Sequence, residues 1–296
     1  MTARCYLQLD VFADRPGAGN PLGVVFDASD LEADAMQAYA AWANLSETIF
    51  FLPPTAAEAD YRVRIFTPRQ ELSFAGHPSV GAAWAALDSG LAQAKEGLLV
   101  QECAAGLLPV RIEQRNAMRL VHVRAPQARE VLTGGAHTDG LASALQGLPL
   151  GELAPVLWNN GPSWWLVELA DAAAVRAMQP NLSAIAALTM ASNAVGLAVF
   201  GRTDDSDHDL AARAYCPADG IPEDPVTGSA NASIAALLHH AGALPGADRP
   251  GPYRRYIASQ GREIGRNGRV EVQVDHENEV WIGGQVQAVI RGSVDW

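Results

Sequence analysis

The sequence predicts an α+β protein made of two similar halves. The first observation is an internal repeat. Arg64-Ile-Phe-Thr-Pro68 runs on through Glu71 to Ala75-Gly76-His77-Pro78-Ser79-Val80-Gly81, and Arg213-Ala-Tyr-Cys-Pro217 runs on through Glu223-Asp224 to Thr227-Gly228-Ser229-Ala230-Asn231-Ala232-Ser233. Each copy is a short β-type run closed by Pro, a loop, then a Gly that opens an Ala-rich helical pattern. The second observation is length: 296 residues exceed one compact core and suit two domains. The third is the order of elements, mostly hairpin-linked strands with one long helix per half. That order departs from a Rossmann-type repeat.

Residues 4–12 alternate apolar and polar and predict a strand, followed by the turn-rich Asp14-Arg-Pro-Gly-Ala-Gly-Asn-Pro21 and a second strand over Leu22 to Phe26. Asp30 is the expected N-cap of a helix carrying Leu31, Met36, Tyr39, Ala40 and Ala43. Asn44-Leu-Ser-Glu47 breaks that pattern, and Thr48 to Leu52 reads as a strand ending at Pro53-Pro54. Tyr61 to Thr67 alternates as a further strand. The helix after Gly76 runs to about Leu87, with strands expected near 97–102, 107–113 and 118–123.

The first lobe is expected over residues 1–125, completed by a last strand at about 285–296, and the second over 126–284, with the boundary at Ala125-Pro126. Residues 133–154 read as a connection with a short helix. Val156 to Leu169 predicts strand, turn, strand; short helices follow near 171–178 and 181–190, then a strand over Val195 to Phe200. A helix spans about 229–241. The tail from Tyr253 to Ile290 reads as strands joined by Gly turns at 261, 265, 268 and 283–284.

The composition is 49% hydrophobic and 18% charged, with a net charge of −12 and no basic run. Phosphate neutralisation needs Lys/Arg clusters, so no nucleic-acid partner is expected. The first residues lack the apolar core of a signal peptide, and no apolar stretch is long enough to span a bilayer. Cys5, Cys103 and Cys216 form no C-x-x-C pair, so neither a disulfide framework nor a zinc site is indicated. A cytoplasmic protein without a membrane partner is the expectation, in which the sequons at Asn44, Asn181 and Asn231 are chance matches.

Two helix N-termini facing each other would make an anion-binding cleft, because their first N–H groups have no intrahelical partner and carry partial positive charge. That points to a small carboxylate. Other chemistries fit poorly. Gly76-His-Pro-Ser-Val-Gly81 is neither G-x-G-x-x-G nor a P-loop, and Gly228-Ser229-Ala230 is out of frame for a nucleophile elbow. The acidic stretch Asp204 to Asp209 fails the EF-hand pattern, since counting from Asp205 puts Leu210 and Cys216 where Gly and Glu belong; a solvated loop is expected there. His77 starts the first helix, where the dipole favours a neutral imidazole, although a single His is more often an ordinary polar residue. Asp224, taken alone, reads as a cap, and His239-His240 as helix-end charges. Glu47 lies at an element junction, where side chains often point into clefts. A surface Glu beside a Ser46-capped turn accounts for those residues as well.

Taken together, Asn44-Leu-Ser-Glu-Thr-Ile-Phe50, Ala75-Gly-His-Pro-Ser-Val-Gly81 and Glu223-Asp-Pro-Val-Thr-Gly-Ser-Ala230 resemble the signature segments of the PhzF-like (phenazine biosynthesis) isomerases. Asp10-Val-Phe12, Gly19-Asn-Pro21 and Gln260-Gly-Arg support the match, which covers essentially the whole chain. The resemblance implies the diaminopimelate epimerase-like fold, α+β, with a mostly antiparallel sheet wrapped around a central helix in each lobe. It implies Glu47 as general acid/base, His77 and Asp224 beside it in the catalytic set, and Gly76, Pro78, Ser79, Gly228 and Ser229 as substrate-binding residues. It also implies a homodimer. The epimerases of this fold use two opposed cysteines, and no Cys stands near Gly76 or Gly228; Cys216 aligns with Thr67 on a strand.

The expected function is therefore a cofactor-independent isomerase of a small carboxylate, moving a proton through one carboxylate in the inter-lobe cleft, with no metal. One alternative is an amino- or hydroxy-acid epimerase using Glu47 and Asp224 as paired bases. Another is a small-carboxylate-binding protein without turnover. Trp158, Trp164 and Trp165 are open between pocket, core and dimer contact.

Overall fold

The computed structural model describes residues 2–116, 118–132, 135–204, 207–246, 249 and 251–296. The chain divides into two compact units, Met1–Arg124 with Gly283–Trp296, and Ala125–Ile282. The elements in order are β1 (Ala3–Val11), β2 (Asn20–Val25), α1 (Ala33–Ala43), β3 (Glu47–Leu52), β4 (Tyr61–Phe66), β5 (Glu71–Leu72), α2 (Gly76–Asp88), β6 (Leu98–Cys103), β7 (Gly106–Arg115) and β8 (Met118–Arg124). There follow β9 (Arg129–Glu130), α3 (Thr138–Ala144), β10 (Val156–Asn159), β11 (Ser163–Glu168), α4 (Ala172–Ala177), α5 (Leu182–Ser192), β12 (Gly196–Arg202), β13 (Leu210–Cys216) and β14 (Ile221–Asp224). The chain finishes with α6 (Gly228–His240), β15 (Arg254–Gln260), β16 (Gly268–Val274), β17 (Val280–Gly284) and β18 (Val286–Asp295).

In the first unit β1 lies between β18 and β2, both antiparallel to it. Parallel pairing joins β2 to β3 and β4 to β6; antiparallel pairing joins β3 to β4, β6 to β7 and β7 to β8. These strands surround α2, which touches β1, β2, β3, β4, β6, β8 and β18. A helix that is small and apolar all round must be buried, and Ala82, Ala83, Ala85 and Ala86 are fully so. Close approach needs the missing side chain at Gly81, where a Cβ would come within 2.3 Å of Leu22. On the outer face α1 packs Met36, Tyr39 and Ala40 against Val25, Phe50 and Phe66.

The second unit repeats the plan. Here β10 and β11 are antiparallel, β11 and β12 parallel, β12 and β13 antiparallel, β13 and β15 parallel, and β15 and β16 antiparallel. Its central helix α6 packs on β11 and β16. Its outer core gathers Val175, Ile185 and Leu188 from α4 and α5 over Val167, Val199 and Tyr215. Trp158, Trp164 and Trp165 are all buried in this unit.

The registers make the repeat residue-specific. Leu22 opposes Glu47 and Thr48 opposes Phe66 in the first unit, while Trp164 opposes Gly196 and Leu197 opposes Tyr215 in the second. In both, the helix before the inner strand ends on an Asn in the left-handed conformation, Asn44 at φ 51° and Asn193 at φ 52°. Asn tolerates that conformation better than most residues. By this correspondence Glu47 matches Gly196, Phe66 matches Tyr215, and His77 matches Ser229.

Several local readings are corrected. Asp30 does not cap α1; Glu32 holds the N-cap position, and Asp30 is drawn to Arg4 at 2.8 Å. Gly283 and Gly284 lie inside β17 rather than at a turn. A Cβ at Gly283 would meet the Val121 carbonyl at 2.2 Å, so its smallness serves strand crossing. In the acidic stretch, Asp205 and Ser206 lie outside the described residues. Asp204 and Asp207 are exposed, as a solvated loop requires, whereas His208 is buried and Asp209 is anchored by Arg249 and by accepting from the Ile257 N–H. In the 133–154 connection the helix is α3, and residues 133 and 134 lie outside the description.

Candidate active site

Glu47 is the first residue of β3, three residues beyond Asn44, the left-handed residue that ends α1. The turn swings the chain from the outer helix into the parallel pairing with β2, placing Glu47 at the strand entrance. Ser46 fixes that entrance by donating to the Asn20 side-chain oxygen at 2.9 Å. Asn20 is itself only 1% exposed. The Glu47 Oε2 atom is shielded from solvent and lies 3.3 Å from His77 Nε2, in side chains 16% and 7% exposed. Burial pushes the Glu47 carboxyl up to about 7, against a smaller downward pull from Ser46. An ionised carboxylate loses water contacts there, so the neutral form gains.

His77 and Gly76 open α2. Its N-cap is Ala75, no side chain caps the helix, and no acidic residue stands in its first turn. The first N–H groups there are uncapped donors with the dipole behind them. Pro78 is buried, and Ser79 is 1% exposed with its hydroxyl accepting from Gln101 Nε2 at 2.9 Å. The structure thus brings Glu47, His77 and Gly76 together and turns Ser79 into the interior.

In the second unit α6 starts at Gly228 behind Thr227, again with no side-chain cap and no acidic residue in the first turn. Asp224 ends β14, and the Thr227 hydroxyl donates to its Oδ2 at 2.5 Å. The hub is Gln260, at 1% exposure. Its Oε1 accepts from the Thr227 N–H and from Asn231 Nδ2, and its Nε2 donates to the Asp224 carbonyl and to Thr227 Oγ1. A backbone N–H only donates, so the amide orientation is settled and the one Thr227 proton goes to Asp224. Asp224 therefore stands as a hydrogen-bond acceptor. Ser229 receives the Trp164 Nε1–H at 3.1 Å.

A paired Arg and Glu frame each site from the preceding hairpin. Arg64 forks onto Glu71 at 2.7 Å through both nitrogens, and Arg213 onto Glu223 at 3.0 and 2.8 Å. Each guanidinium also lies over an aromatic ring two residues on, Phe66 or Tyr215. Sequence reasoning found the repeat but not these pairs, nor Gln260 as a hub. The shared Arg-x-aromatic and downstream Glu were the available signal. Where Glu47 stands in the first unit, the second has Gly196, whose Cβ would meet Trp164 Cζ3 at 2.4 Å and the Tyr215 carbonyl at 2.5 Å. No carboxylate fits there.

Among the described residues no helix is long and apolar enough to cross a membrane. The family model for phenazine biosynthesis-like protein, PhzC-PhzF, matches residues 9–292. Antisense-enhancing sequence 1 of Schizosaccharomyces pombe is 32% identical over 99% of this chain and 99% of its own length. Trans-2,3-dihydro-3-hydroxyanthranilate isomerase of Pseudomonas aeruginosa is 34% identical over 93% of this chain and 91% of its own. The crystal structure of the Bacillus anthracis PhzF-family protein aligns over 100% of both chains, with a TM-score of 0.84 and 28% identity. With its fold and these relatives in agreement, the chain belongs to the PhzC-PhzF family of phenazine biosynthesis-like isomerases.

Proposed function

We propose that the protein is a cofactor-independent isomerase that shifts a double bond in a small, cyclic carboxylate, using Glu47 as its single acid/base. The observation that carries this reading is the Glu47 carboxyl, buried to a pKa of about 7 and within 3.3 Å of His77 at the uncapped start of α2. A group poised there is ionised and protonated in comparable amounts near neutrality, which suits both halves of a proton shuttle. The Glu47 carboxylate takes a proton from a carbon beside the double bond, and the C–H electrons form the new double bond. The old double bond then takes a proton from the Glu47 carboxyl at its far carbon, after that carboxyl has had time to exchange with solvent. Nothing is oxidised and no atom leaves.

His77 hydrogen-bonds the carboxyl group through these steps. The Gly76 and His77 N–H groups at the start of α2 stabilise developing negative charge, while Pro78, which has no N–H, and Ser79, whose N–H goes to the Ala75 carbonyl, shape the turn behind them. Asp224, Gly228 and Ser229 are the ligand-binding residues of the second unit. Two features speak for one base rather than two. Gly196 stands at the counterpart of Glu47, and Asp224 already accepts the Thr227 proton. The 34% identity to an isomerase of a dihydro-hydroxyanthranilate supports a cyclic carboxylate as substrate. The same reading has the protein work as a homodimer in the cytoplasm.

Proton exchange in deuterated water, followed by NMR over a panel of cyclic and acyclic carboxylates, tests the assignment. Deuterium enters a substrate carbon with the wild type and not with Glu47→Gln. Exchange that persists in Glu47→Gln rejects Glu47 as the base.

A further inference from the structure

Two side chains of the β10–β11 hairpin converge on Ser229, the second residue of α6. Asn160 Nδ2 donates to the Ser229 carbonyl at 2.9 Å, and Trp164 Nε1 donates to the Ser229 hydroxyl at 3.1 Å. The hairpin is well braced, with Asn159 Nδ2 donating to the Gly161 carbonyl and to the Ser163 hydroxyl, both at 2.9 Å. Trp164 is 2% exposed and Asn160 equally buried.

The direction of these bonds matters. An indole nitrogen can only donate, so it occupies a Ser229 lone pair and leaves the hydroxyl proton to point elsewhere. Among the described residues that proton meets no acceptor. The hairpin amide is tied to the carbonyl of the same residue. Asn160 commits its NH2 to the Ser229 carbonyl, and its Oδ1, the other end of the same amide, is buried with no donor among the described residues. A buried acceptor left unpaired is costly. The idle hydroxyl donor thus sits at a helix start whose own N–H groups are uncapped, while the Asn160 Oδ1, an acceptor, is no partner for a carboxylate.

We propose that Trp164 is a positioning residue for ligand binding: it locks the Ser229 hydroxyl as a donor to a carboxylate held at the first turn of α6. This rests on the reading of Ser229 as a ligand-binding residue and extends it to a residue from another element. In the repeat, Trp164 and Ser229 stand where the first unit places Leu22 and His77, and Gly196 stands in the place of Glu47. The second unit thereby holds a fixed donor pair in place of a proton-transfer pair.

Benzoate is the probe, with methyl benzoate as its uncharged counterpart, titrated into the intact protein and followed by NMR. Wild type is expected to bind benzoate at least about tenfold more tightly than the ester, and the Trp164 indole N–H resonance to shift on saturation. Trp164→Phe keeps the ring and removes the N–H; it is expected to weaken benzoate about three- to tenfold. Ser229→Ala is expected to weaken it comparably, and the double variant no further than Ser229→Ala alone, since one donor is removed either way. Additive losses, unchanged affinity in Trp164→Phe, or no preference for benzoate over the ester would overturn the proposal. Should Trp164→Phe lose its fold, an indole resonance in wild type that ignores benzoate overturns it equally. The titration needs no turnover, so absence of deuterium exchange would reject the proposed reaction and leave this result standing.

Discussion

Gly196 lies opposite Trp164 in the parallel pairing of β11 and β12, and a side chain on Gly196 would strike the indole ring. The matching pair in the first unit is Glu47 opposite Leu22. One position of the repeat thus carries a carboxylate in one unit and open backbone in the other.

The asymmetry is enforced by packing. Gly196→Ala brings a Cβ within 2.5 Å of the Tyr215 carbonyl and 2.9 Å of Cys216 Sγ. Backbone cannot yield as a flexible side chain would, so the substitution is expected to destabilise by about 3 kcal/mol. Urea unfolding measures it. A loss below about 0.5 kcal/mol would mean that the position tolerates a side chain, and that the missing carboxylate is not a packing matter.

The pH dependence of activity should follow Glu47. Proton removal needs its ionised form, so kcat/KM is expected to rise with pH through about 7 and level above it. Glu47→Gln is expected to lower kcat by about 100-fold or more. A flat profile between pH 5 and 9, roughly two units either side, would place the acid/base elsewhere.

Stability should follow the same group with the opposite sign. The folded-state value of about 7 exceeds the reference value of 4.5, so between those limits the native state binds more protons than the unfolded one. Stability therefore falls as pH rises from 4.5 to 7, by about 3 kcal/mol on simple linkage. Glu47→Gln removes that cost, so it should stabilise the protein at pH 8 and make little difference near pH 4. Equal melting shifts for this variant at both pH values would contradict the burial argument.

The two Arg–Glu forks offer an internal control on burial. Arg213 and Glu223 are 6% and 8% exposed, while Arg64 and Glu71 are 24% and 34%. Glu223→Gln removes the forked partner in a dry setting and leaves Arg213 with Glu263, at 3.8 Å, so it is expected to cost about 3 kcal/mol. The same change at Glu71, where water screens the pair, should cost at most about 1 kcal/mol. Similar losses at both sites would show that geometry, not burial, sets their strength.

Gln260 is expected to matter beyond stability. Gln260→Met keeps volume and removes four hydrogen bonds around Asp224, Thr227 and Asn231. Unfolding should register a loss of about 3 kcal/mol. If Asp224 orients the substrate, the variant also raises KM, while a purely structural brace would leave KM unchanged in the folded fraction.

What was legible beforehand divides by range. The repeated Arg-x-aromatic strand, the Gly before each Ala-rich helix and the α+β class follow from local pattern. The central helices are legible because a run such as Gly81-Ala-Ala-Trp-Ala-Ala86 has no polar face to show to water. Asp30 was misread because a cap and an ion-pair partner look alike until Arg4, distant in sequence, is brought beside it. The Trp164–Ser229 bond joins residues 65 apart, and no local rule finds it. Extending the repeat from Asn44-Leu-Ser-Glu47 to Asn193-Ala-Val-Gly196 would have exposed the missing carboxylate, since the two Asn caps mark the alignment.

The first unit takes its opening strand and its closing strand from opposite ends of the chain, with Ala3 opposite Asp295 and Val11 opposite Val286. During synthesis β1 therefore waits with one edge unpaired while nearly all of the remaining sequence is made. The second unit is a single stretch, Ala125–Ile282, and has every strand it needs before β18 has left the ribosome. An edge left open for that long is a template for pairing with another nascent chain. The order of birth thus runs against the order of the units: the domain begun first is the one finished last.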